Sequence, residues 1–204
     1  MKLSALYQIF LDCQSVTTDS RNCPDGSLFI ALKGESFNGN AFAKLALDSG
    51  CAFAIIDEIQ YAIEGDQRYI LVDDCLQTMQ QLANYHRRQL GTRVIGITGT
   101  NGKTTTKELI SSVLCQAHNV LYTLGNLNNH IGVPMMLLRF DRETKIAVIE
   151  AGISHPGEMA KLVSWIRPTV TVITNAQREH QEFLDGVEAS ARENAFAIVS
   201  LSAK

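Results

Sequence analysis

Long hydrophobic runs, cysteine pairs and excess charge are all missing from this sequence, and each absence excludes a class of protein. There is no run of about 18 apolar residues, so we expect no transmembrane helix. The five cysteines form no Cys-x-x-Cys pair, which argues against a disulfide framework or a zinc site and favours reduced thiols in the cytoplasm. A net charge of −3 argues against a surface for nucleic acid or anionic membranes. What is present, 204 residues with 46% hydrophobic side chains, suffices for one large domain or two small ones.

A glycine-rich turn carries the strongest functional signal. It reads G-T-N-G-K-T-T from Gly99 to Thr105, after an apolar run and before a helical pattern of apolar residues. The glycines let backbone N–H groups point at an anion, and the helix N-terminus adds partial positive charge. Lys103 would then reach the β- and γ-phosphates of a nucleotide, and the Thr104 hydroxyl would bind Mg²⁺. The strict P-loop pattern has glycine where this chain has Ile97, so the alternative is a glycine-rich turn carrying a surface lysine.

Short strands alternate with helices along the chain, which predicts an α/β fold. The predicted strands are Ser27–Leu32, Ala52–Asp57, Tyr69–Val72, Val94–Thr98, Val120–Tyr122, Ile146–Glu150 and Val170–Thr174, and the predicted helices are an amphipathic first helix, Ala41–Asp48, Cys75–Leu90, Thr105–Ala117, Gly157–Ile166 and one from about Val187. Apolar β-branched strands between helices indicate parallel sheets covered on both faces. We expect a small α/β domain over residues 1–91 and a P-loop-type parallel-sheet domain over residues 92–204, incomplete at its end.

Polar residues follow three predicted strands of the second domain. Ligands of parallel sheets bind beyond the carboxyl ends of the strands, so the loop after Thr98, Glu150, and Asn175 should share one rim. Glu150 would bind Mg²⁺ near the γ-phosphate; the alternative is a solvated acid at a strand end. His180 follows the last of these strands, and its neutral imidazole would bind metal or phosphate unless it is an ordinary surface histidine.

Three further stretches are less specific. Asn126, Asn128 and Asn129 are dense enough to recognise a polar, sugar-like or peptide-like ligand, although an Asn-rich turn explains them equally well. Arg21 could hold a phosphate or diphosphate with two parallel hydrogen bonds. The basic cluster at positions 86–88 is interpreted as a solvated helix C-terminus with no partner assigned.

Together these motifs resemble the ATP-dependent Mur ligases of peptidoglycan synthesis, and the resemblance covers the whole chain. The segments that carry it are T-D-S-R at 18–21, D-G-S-L-F-I-A-L-K-G-E at 25–35, G-T-N-G-K-T-T-T-K-E at 99–108, G-N-L-N-N-H-I-G-V-P at 125–134, E-A-G-I-S-H-P-G-E-M at 150–159 and T-N…H at 174–180. Within this resemblance the Asn-rich segment is the most specific, because it is similar to that of the members that add D-alanyl-D-alanine and the sister ligases carry different residues there.

The resemblance implies a role for each candidate residue. Residues 1–91 would bind the UDP end of the substrate, and residues 92–204 would begin the central ATP-binding domain. The implied sites are ATP phosphates at Gly99, Thr100, Asn101, Gly102, Lys103, Thr104 and Thr105; catalysis at Lys103, Glu150 and His180; Mg²⁺ at Thr104, Glu150 and His180; and substrate at Ser20, Arg21, Lys33, Gly34, Asn126, Asn128 and Asn129. Two departures stand out: Asn38-Gly39-Asn40 replaces the family's usual Asp-Gly-His, and Glu193 or Asn194 stands where the family commonly has a modified lysine.

The implied reaction uses ATP and Mg²⁺ to join UDP-N-acetylmuramoyl-tripeptide to D-alanyl-D-alanine through an acyl phosphate. A cytoplasmic monomer is expected, with no nucleic-acid partner. One alternative is a sister amide ligase, such as the diaminopimelate- or lysine-adding enzyme or a folylpolyglutamate or cyanophycin synthetase. Another, for this chain alone, is a nucleotide-binding module without ligase activity, because catalysis in the family depends on closure of a further domain.

Overall fold

The structure, a computed structural model, describes residues 1–175 and 186–199. The chain divides into two units, Met1–Tyr85 and His86–Lys204. The helix Cys75–Gln89 contains the point of division, so the boundary predicted after residue 91 stays a prediction. Both units are built on parallel sheets flanked by helices, which confirms the predicted α/β class.

The first unit is a four-stranded parallel sheet with strands in the order β1-β2-β3-β4. Its elements are α1 (Leu3–Asp12), β1 (Val16–Thr17), β2 (Leu28–Ile30), a 3-10 helix (Gly39–Phe42), α2 (Ala43–Asp48), β3 (Phe53–Ile56), a second 3-10 helix (Ile59–Tyr61), β4 (Tyr69–Leu71) and α3 (Cys75–Gln89). The inner strand β2 is buried along its whole length and is paired on both edges, with β1 and β3. The three predicted strands of this unit are confirmed, whereas β1 is too short to leave a pattern in the sequence.

The second unit contains a second parallel sheet, ordered β6-β7-β5-β8. Its elements are β5 (Arg93–Thr98), α4 (Lys103–Leu114), β6 (Val120–Tyr122), α5 (Gly132–Leu137), β7 (Ile146–Glu150), α6 (Glu158–Ile166), β8 (Val170–Ile173) and α7 (Gly186–Val199). Strand β5 lies between β7 and β8, with Ile97 paired to Glu150 and Thr98 paired to Ile173. The carboxyl ends of these three strands therefore meet at one edge, as predicted.

Helix α4 differs from its predicted bounds, Thr105–Ala117, at both ends. It begins at Lys103, so the lysine belongs to its first turn, and it ends at Leu114. The apolar residues Leu109 and Val113 are 65% and 72% exposed, whereas Lys107 and Ser111 are buried. The apolar spacing thus identified the helix, although the residues that it buries include a lysine and a serine.

The basic cluster at the end of α3 is largely buried, so its interpretation as a solvated terminus was wrong. The His86 ring Nε2 donates a hydrogen bond to the Phe140 carbonyl at 2.8 Å. Arg87 donates from Nε to the Ile166 carbonyl at 2.9 Å and from Nη2 to the Arg167 carbonyl at 3.1 Å, both at the C-terminal end of α6. Burial lowers the pKa of both His86 and Arg87. These two side chains donate hydrogen bonds to carbonyl groups at the end of α6 and in a loop of the second unit. Of the three basic residues, only Arg88 is exposed.

Two absences concern the described part of the chain. No helix within residues 1–175 and 186–199 is both long and apolar enough to cross a bilayer. The five cysteines, all of which lie in that part, are free thiols.

Candidate phosphate-binding and metal site

Two glycines shape the turn between β5 and α4, each for a different reason. Gly99 has φ 125°, and a Cβ there would lie 2.3 Å from the Thr174 hydroxyl and 2.8 Å from the Asn175 carbonyl oxygen. Gly102 has φ 80°, and a Cβ there would meet no protein atom within 4 Å. Gly99 thus permits the end of β8 to approach the loop, whereas Gly102 supplies the left-handed backbone from which α4 starts.

The end of β8 fixes the shape of the loop. The N–H groups of Thr100 and Asn101 donate to the Asn175 carbonyl at 3.2 Å and to its side-chain Oδ1 at 2.9 Å. In return, the Thr174 hydroxyl donates to the Asn101 carbonyl at 2.6 Å. From the sequence, Asn175 was expected on this rim, but no role was assigned to it. Its position directly after a strand that neighbours β5 is the feature that could have indicated contact with the loop.

Lys103 folds back over the loop that precedes it. Its Nζ donates to the carbonyl oxygens of Gly99 at 2.5 Å and Thr100 at 3.1 Å. Gly102 has no side chain with which to cap α4, and the first turn of a helix that lacks such a cap favours an anion. A lysine, a helix N-terminus and a glycine turn therefore converge, which is the arrangement that binds phosphate.

Glu150 joins three parts of the site. Its carboxylate is 2% exposed and accepts one hydrogen bond on each oxygen: from the Thr104 hydroxyl at 3.0 Å and from the Asn128 side-chain amide at 2.9 Å. Its backbone N–H donates to the Thr123 hydroxyl at 2.9 Å. The structure thus brings together three residues predicted from separate motifs, Thr104, Glu150 and Asn128.

The donor set at Glu150 suits Mg²⁺. A carboxylate and a hydroxyl are the hard oxygen ligands that this ion prefers, and Mg²⁺ usually keeps several waters and takes further oxygens from a substrate phosphate. Among the described residues, His, Cys, Asp and Glu form no group of three that could hold a metal by themselves. An ion beside Thr104 and Glu150 would therefore need phosphate and water to complete its shell. His180, the third predicted ligand, lies outside the described residues.

The other predicted asparagines have different surroundings. The Asn129 side-chain Oδ1 accepts hydrogen bonds from the N–H groups of Ile131 and Gly132, at 3.1 and 2.9 Å, and so anchors the start of α5. Asn126 is exposed, and its carbonyl accepts the Asn128 N–H at 2.8 Å. Only Asn128 contacts Glu150, and the substrate-binding role of all three stays a prediction.

Four predicted substrate residues belong to the first unit, and they follow the carboxyl ends of β1 and β2. Arg21 is paired with Asp19 through two hydrogen bonds of 2.9 and 2.8 Å, and its side chain is 86% exposed. Lys33 Nζ lies 2.9 Å from Glu58 and 3.0 Å from Asp57, and these contacts raise its pKa. The remaining two, Ser20 and Gly34, contribute main-chain groups to local turns: the Ser20 carbonyl accepts from the Cys23 thiol, and the Gly34 N–H donates to the Phe37 carbonyl.

The two departures from the family pattern both have a structural role. Asn40 is buried, and its side-chain amide donates to Asp57 and to the side chain of Asn38, at 2.8 Å each. In the second unit, the buried Asn194 accepts a hydrogen bond from the Thr98 hydroxyl at 2.6 Å. Glu193 Oε1 accepts the Gly157 N–H at 2.9 Å, and its buried Oε2 has no hydrogen-bond partner among the described residues. A metal-binding role for Glu193 stays a prediction.

Comparison with known proteins shows the family to which the chain belongs. The model of the Mur ligase middle domain matches residues 97–200, and that of the Mur ligase family catalytic domain matches residues 12–87. This chain belongs to the Mur ligase family. Each family match includes one group of the residues described above: the first contains the loop, Glu150 and Asn128, and the second contains Arg21 and Lys33.

Two relatives of this Mur ligase chain carry the same name. The UDP-N-acetylmuramoyl-tripeptide–D-alanyl-D-alanine ligase of Bacillus subtilis is 44% identical over 176 residues, which are 86% of this chain and 38% of that protein. The Escherichia coli ligase of the same name is 42% identical over 82% of this chain and 36% of its own length. The Mur ligase chain thus spans less than half the length of these curated relatives.

Solved structures give the same result. A crystal structure of MurF from Acinetobacter baumannii superposes with a TM-score of 0.84 at 33% identity, over 98% of this Mur ligase chain and 46% of that one. The MurF ligase of Thermotoga maritima, solved in complex with ADP, has a TM-score of 0.82 at 30% identity, over 94% of this chain and 44% of that one.

Proposed function

We propose that this Mur ligase chain forms the UDP-substrate-binding and phosphate-binding parts of an ATP-dependent amide ligase, which adds D-alanyl-D-alanine to UDP-N-acetylmuramoyl-tripeptide. The observation that carries the proposal is the pair of hydrogen bonds at Glu150. One links it to Thr104 beside the phosphate loop, and the other links it to Asn128 in the Asn-rich segment. The names of the relatives from Bacillus subtilis and Escherichia coli support the same substrates.

In the first proposed step, a carboxylate oxygen of the tripeptide attacks the γ-phosphorus of ATP. The bond from that phosphorus to the β-γ bridging oxygen breaks, ADP leaves, and the carboxylate becomes an acyl phosphate. In the second step the amine of D-alanyl-D-alanine attacks the acyl carbon, and a tetrahedral intermediate collapses with loss of inorganic phosphate and a proton. Acyl phosphate formation is needed because a free carboxylate is a poor electrophile.

The described residues contribute positioning and charge to the first step. Lys103 exchanges its carbonyl partners, Gly99 and Thr100, for phosphate oxygens and neutralises negative charge as the phosphoryl group moves. Asn175 fixes the loop by accepting the Asn101 N–H, and the N–H groups in the first turn of α4 are proposed to donate to the same phosphates.

Thr104 and Glu150 would hold Mg²⁺, with His180 as a further proposed ligand. When bound, the ion neutralises charge on the terminal phosphates. Asn128 keeps the Glu150 carboxylate oriented by donating to one of its oxygens. In the first unit, Arg21 and Lys33, with Ser20 and Gly34, would receive the UDP end. The cytoplasm is the proposed compartment, in keeping with five free thiols, and a monomer the proposed state.

A second candidate function for these 204 residues alone is nucleotide binding without ligation. The observation that favours it is the coverage of the relatives, of which the chain spans 38% in Bacillus subtilis and 36% in Escherichia coli. Phosphate release measured with ATP and UDP-N-acetylmuramoyl-tripeptide, with and without D-alanyl-D-alanine, separates the two functions. Phosphate release that needs both UDP-N-acetylmuramoyl-tripeptide and D-alanyl-D-alanine indicates ligation. Nucleotide binding without phosphate release indicates a binding module.

Calorimetric titration of the chain with Mg-ATP tests the phosphate site. We expect binding that Lys103→Ala weakens about 10- to 150-fold, which corresponds to the loss of one hydrogen bond to a charged group. The matched control is Lys161→Ala, because Lys161 is an exposed lysine on α6. Absence of any binding by the unchanged chain, or equal binding by both variants, would refute the proposed phosphate site.

A further inference from the structure

Helix α4 buries a lysine that the proposed chemistry does not use. Lys107 is 1% exposed, although Leu109 and Val113 on the same helix face solvent. Lysine is almost never fully buried unless it is paired, since removing an ammonium from water costs several kcal/mol. Apolar side chains were available on this helix to fill the interior, so the contacts of the Lys107 ammonium should explain its presence.

The ammonium of Lys107 has three partners. Its Nζ donates to the Thr123 carbonyl oxygen at 2.7 Å and pairs with Glu108 Oε1 at 2.9 Å. It also lies 5.9 Å from the centroid of the Tyr122 ring, within the range of a cation–π interaction. Two of the three partners are consecutive residues at the end of β6, so Lys107 ties α4 to the point where that strand ends.

The hydrogen bonds of Thr123 depart from the ladder of a parallel sheet. The Thr123 N–H donates to the Val148 carbonyl at 3.0 Å, as the pairing of β6 with β7 requires. The next bond of a regular parallel ladder would run from the Glu150 N–H to the Thr123 carbonyl. Here the Glu150 N–H donates instead to the Thr123 hydroxyl at 2.9 Å, and the Thr123 carbonyl accepts from Lys107.

These contacts form a closed ring through the candidate metal site. Lys107 holds the Thr123 carbonyl, the Thr123 hydroxyl holds the backbone of Glu150, and the Glu150 carboxylate accepts from Thr104. Thr104 and Lys107 are three positions apart on α4, so they share one face of that helix. Thr123 therefore connects the Lys107 ammonium to the main chain of Glu150.

We propose that Lys107 is a positioning residue of the ligase. By drawing the Thr123 carbonyl out of the ladder, it leaves the Glu150 backbone to the Thr123 hydroxyl and so sets the Glu150 carboxylate against Thr104 and Asn128. The inference rests on the proposed function, because it assigns the purpose of this ring to Mg²⁺-dependent nucleotide binding. Without Lys107, the Thr123 carbonyl returns to the Glu150 N–H and the carboxylate moves away from Thr104.

The test compares ATP affinity with Mg²⁺ and with EDTA, by calorimetry on the whole 204-residue chain. The ratio of the two affinities is the magnesium advantage. Lys107→Met is expected to lower it about tenfold, the worth of one charge-assisted hydrogen bond, with little change in the EDTA affinity. Lys107→Gln keeps a donor for the Thr123 carbonyl and should restore most of the advantage. The exposed Lys161→Met should leave it unchanged.

Thr123→Val provides an independent test, because it removes the hydroxyl that accepts the Glu150 N–H and leaves Lys107 in place. It should lower the magnesium advantage about as much as Lys107→Met, and the double variant should lose no more than either single one, as expected for residues that act in one chain of contacts. If Lys107→Met does not fold, Lys107→Gln and Thr123→Val decide the question.

The outcomes are distinct. Equal loss of affinity with and without Mg²⁺, or an unchanged advantage in Thr123→Val, would overturn the positioning role while leaving ATP binding by the unchanged chain intact. If the unchanged chain binds no ATP under either condition, the proposed function fails and the inference fails with it.

Discussion

Replacing Gly99 by alanine should destabilise the second unit far more than replacing Gly102, although both glycines have positive φ in the same loop. An alanine Cβ at Gly99 would lie 2.3 Å from the Thr174 hydroxyl and 2.8 and 3.0 Å from the Asn175 carbonyl oxygen and nitrogen. The Asn175 atoms belong to the main chain, so relief requires the end of β8 to move. At Gly102 the same Cβ meets no protein atom within 4 Å.

The expected magnitudes follow from these two environments. At Gly102 only the cost of a left-handed backbone applies, about 1–2 kcal/mol. At Gly99 about 1–3 kcal/mol of backbone strain is joined by about 1–3 kcal/mol of overpacking, which gives about 2–6 kcal/mol. With a urea m-value of about 2 kcal/mol/M, the unfolding midpoint should fall by about 1–3 M for Gly99→Ala and about 0.5–1 M for Gly102→Ala.

Tryptophan fluorescence measures this difference in the second unit alone, because Trp165 on α6 is the single tryptophan of the chain. Urea unfolding curves of the unchanged chain and the two variants give the three midpoints. Equal midpoints for the two variants, or a larger loss for Gly102→Ala, would refute the argument that the close approach of β8 is what requires Gly99.

Two further predictions concern one residue each, Asn175 and His86. Asn175→Ala removes the side-chain acceptor of the Asn101 N–H, and we expect about 2- to 12-fold weaker Mg-ATP binding in calorimetry, since a hydrogen bond contributes about 0.5–1.5 kcal/mol. An unchanged affinity would show that the loop keeps its shape without this contact. Burial lowers the pKa of His86, so the unfolded chain binds more protons below about pH 6.5 and the free energy of unfolding falls as the pH drops through that range. His86→Gln should flatten this dependence in urea midpoints measured by tryptophan fluorescence; an equally steep slope would contradict it.

The strands of both sheets other than β1 could be predicted because they are short runs of mostly apolar residues. The helix α5 could not, because its residues are buried on all sides and leave no amphipathic pattern. Its start is set by the Asn129 side chain, which accepts two backbone N–H groups. The same asparagine suggested a ligand site in the sequence, and nothing in the residue type distinguishes these two uses.

The candidate site likewise has features that the sequence predicted and features that it did not. The predicted proximity of Glu150 to the phosphate loop follows from two rules, that parallel strands end at one edge and that motif residues lie beyond those ends. The burial of Lys107 and His86 could not be predicted in this way, because each donates a hydrogen bond to a main-chain carbonyl, at Thr123 and Phe140, and a main-chain carbonyl carries no signal of residue type. A lysine within a helix is interpreted as solvated until the backbone that it contacts is known.

The contacts of Lys103 have a thermodynamic consequence. The Lys103 ammonium donates to two main-chain oxygens, at Gly99 and Thr100. Binding of the proposed triphosphate would then replace these two acceptors with phosphate oxygens, around a side chain whose rotamers the fold already restricts. Such a side chain would lose less conformational entropy on binding than a freely moving one, and this would favour the affinity of the proposed site.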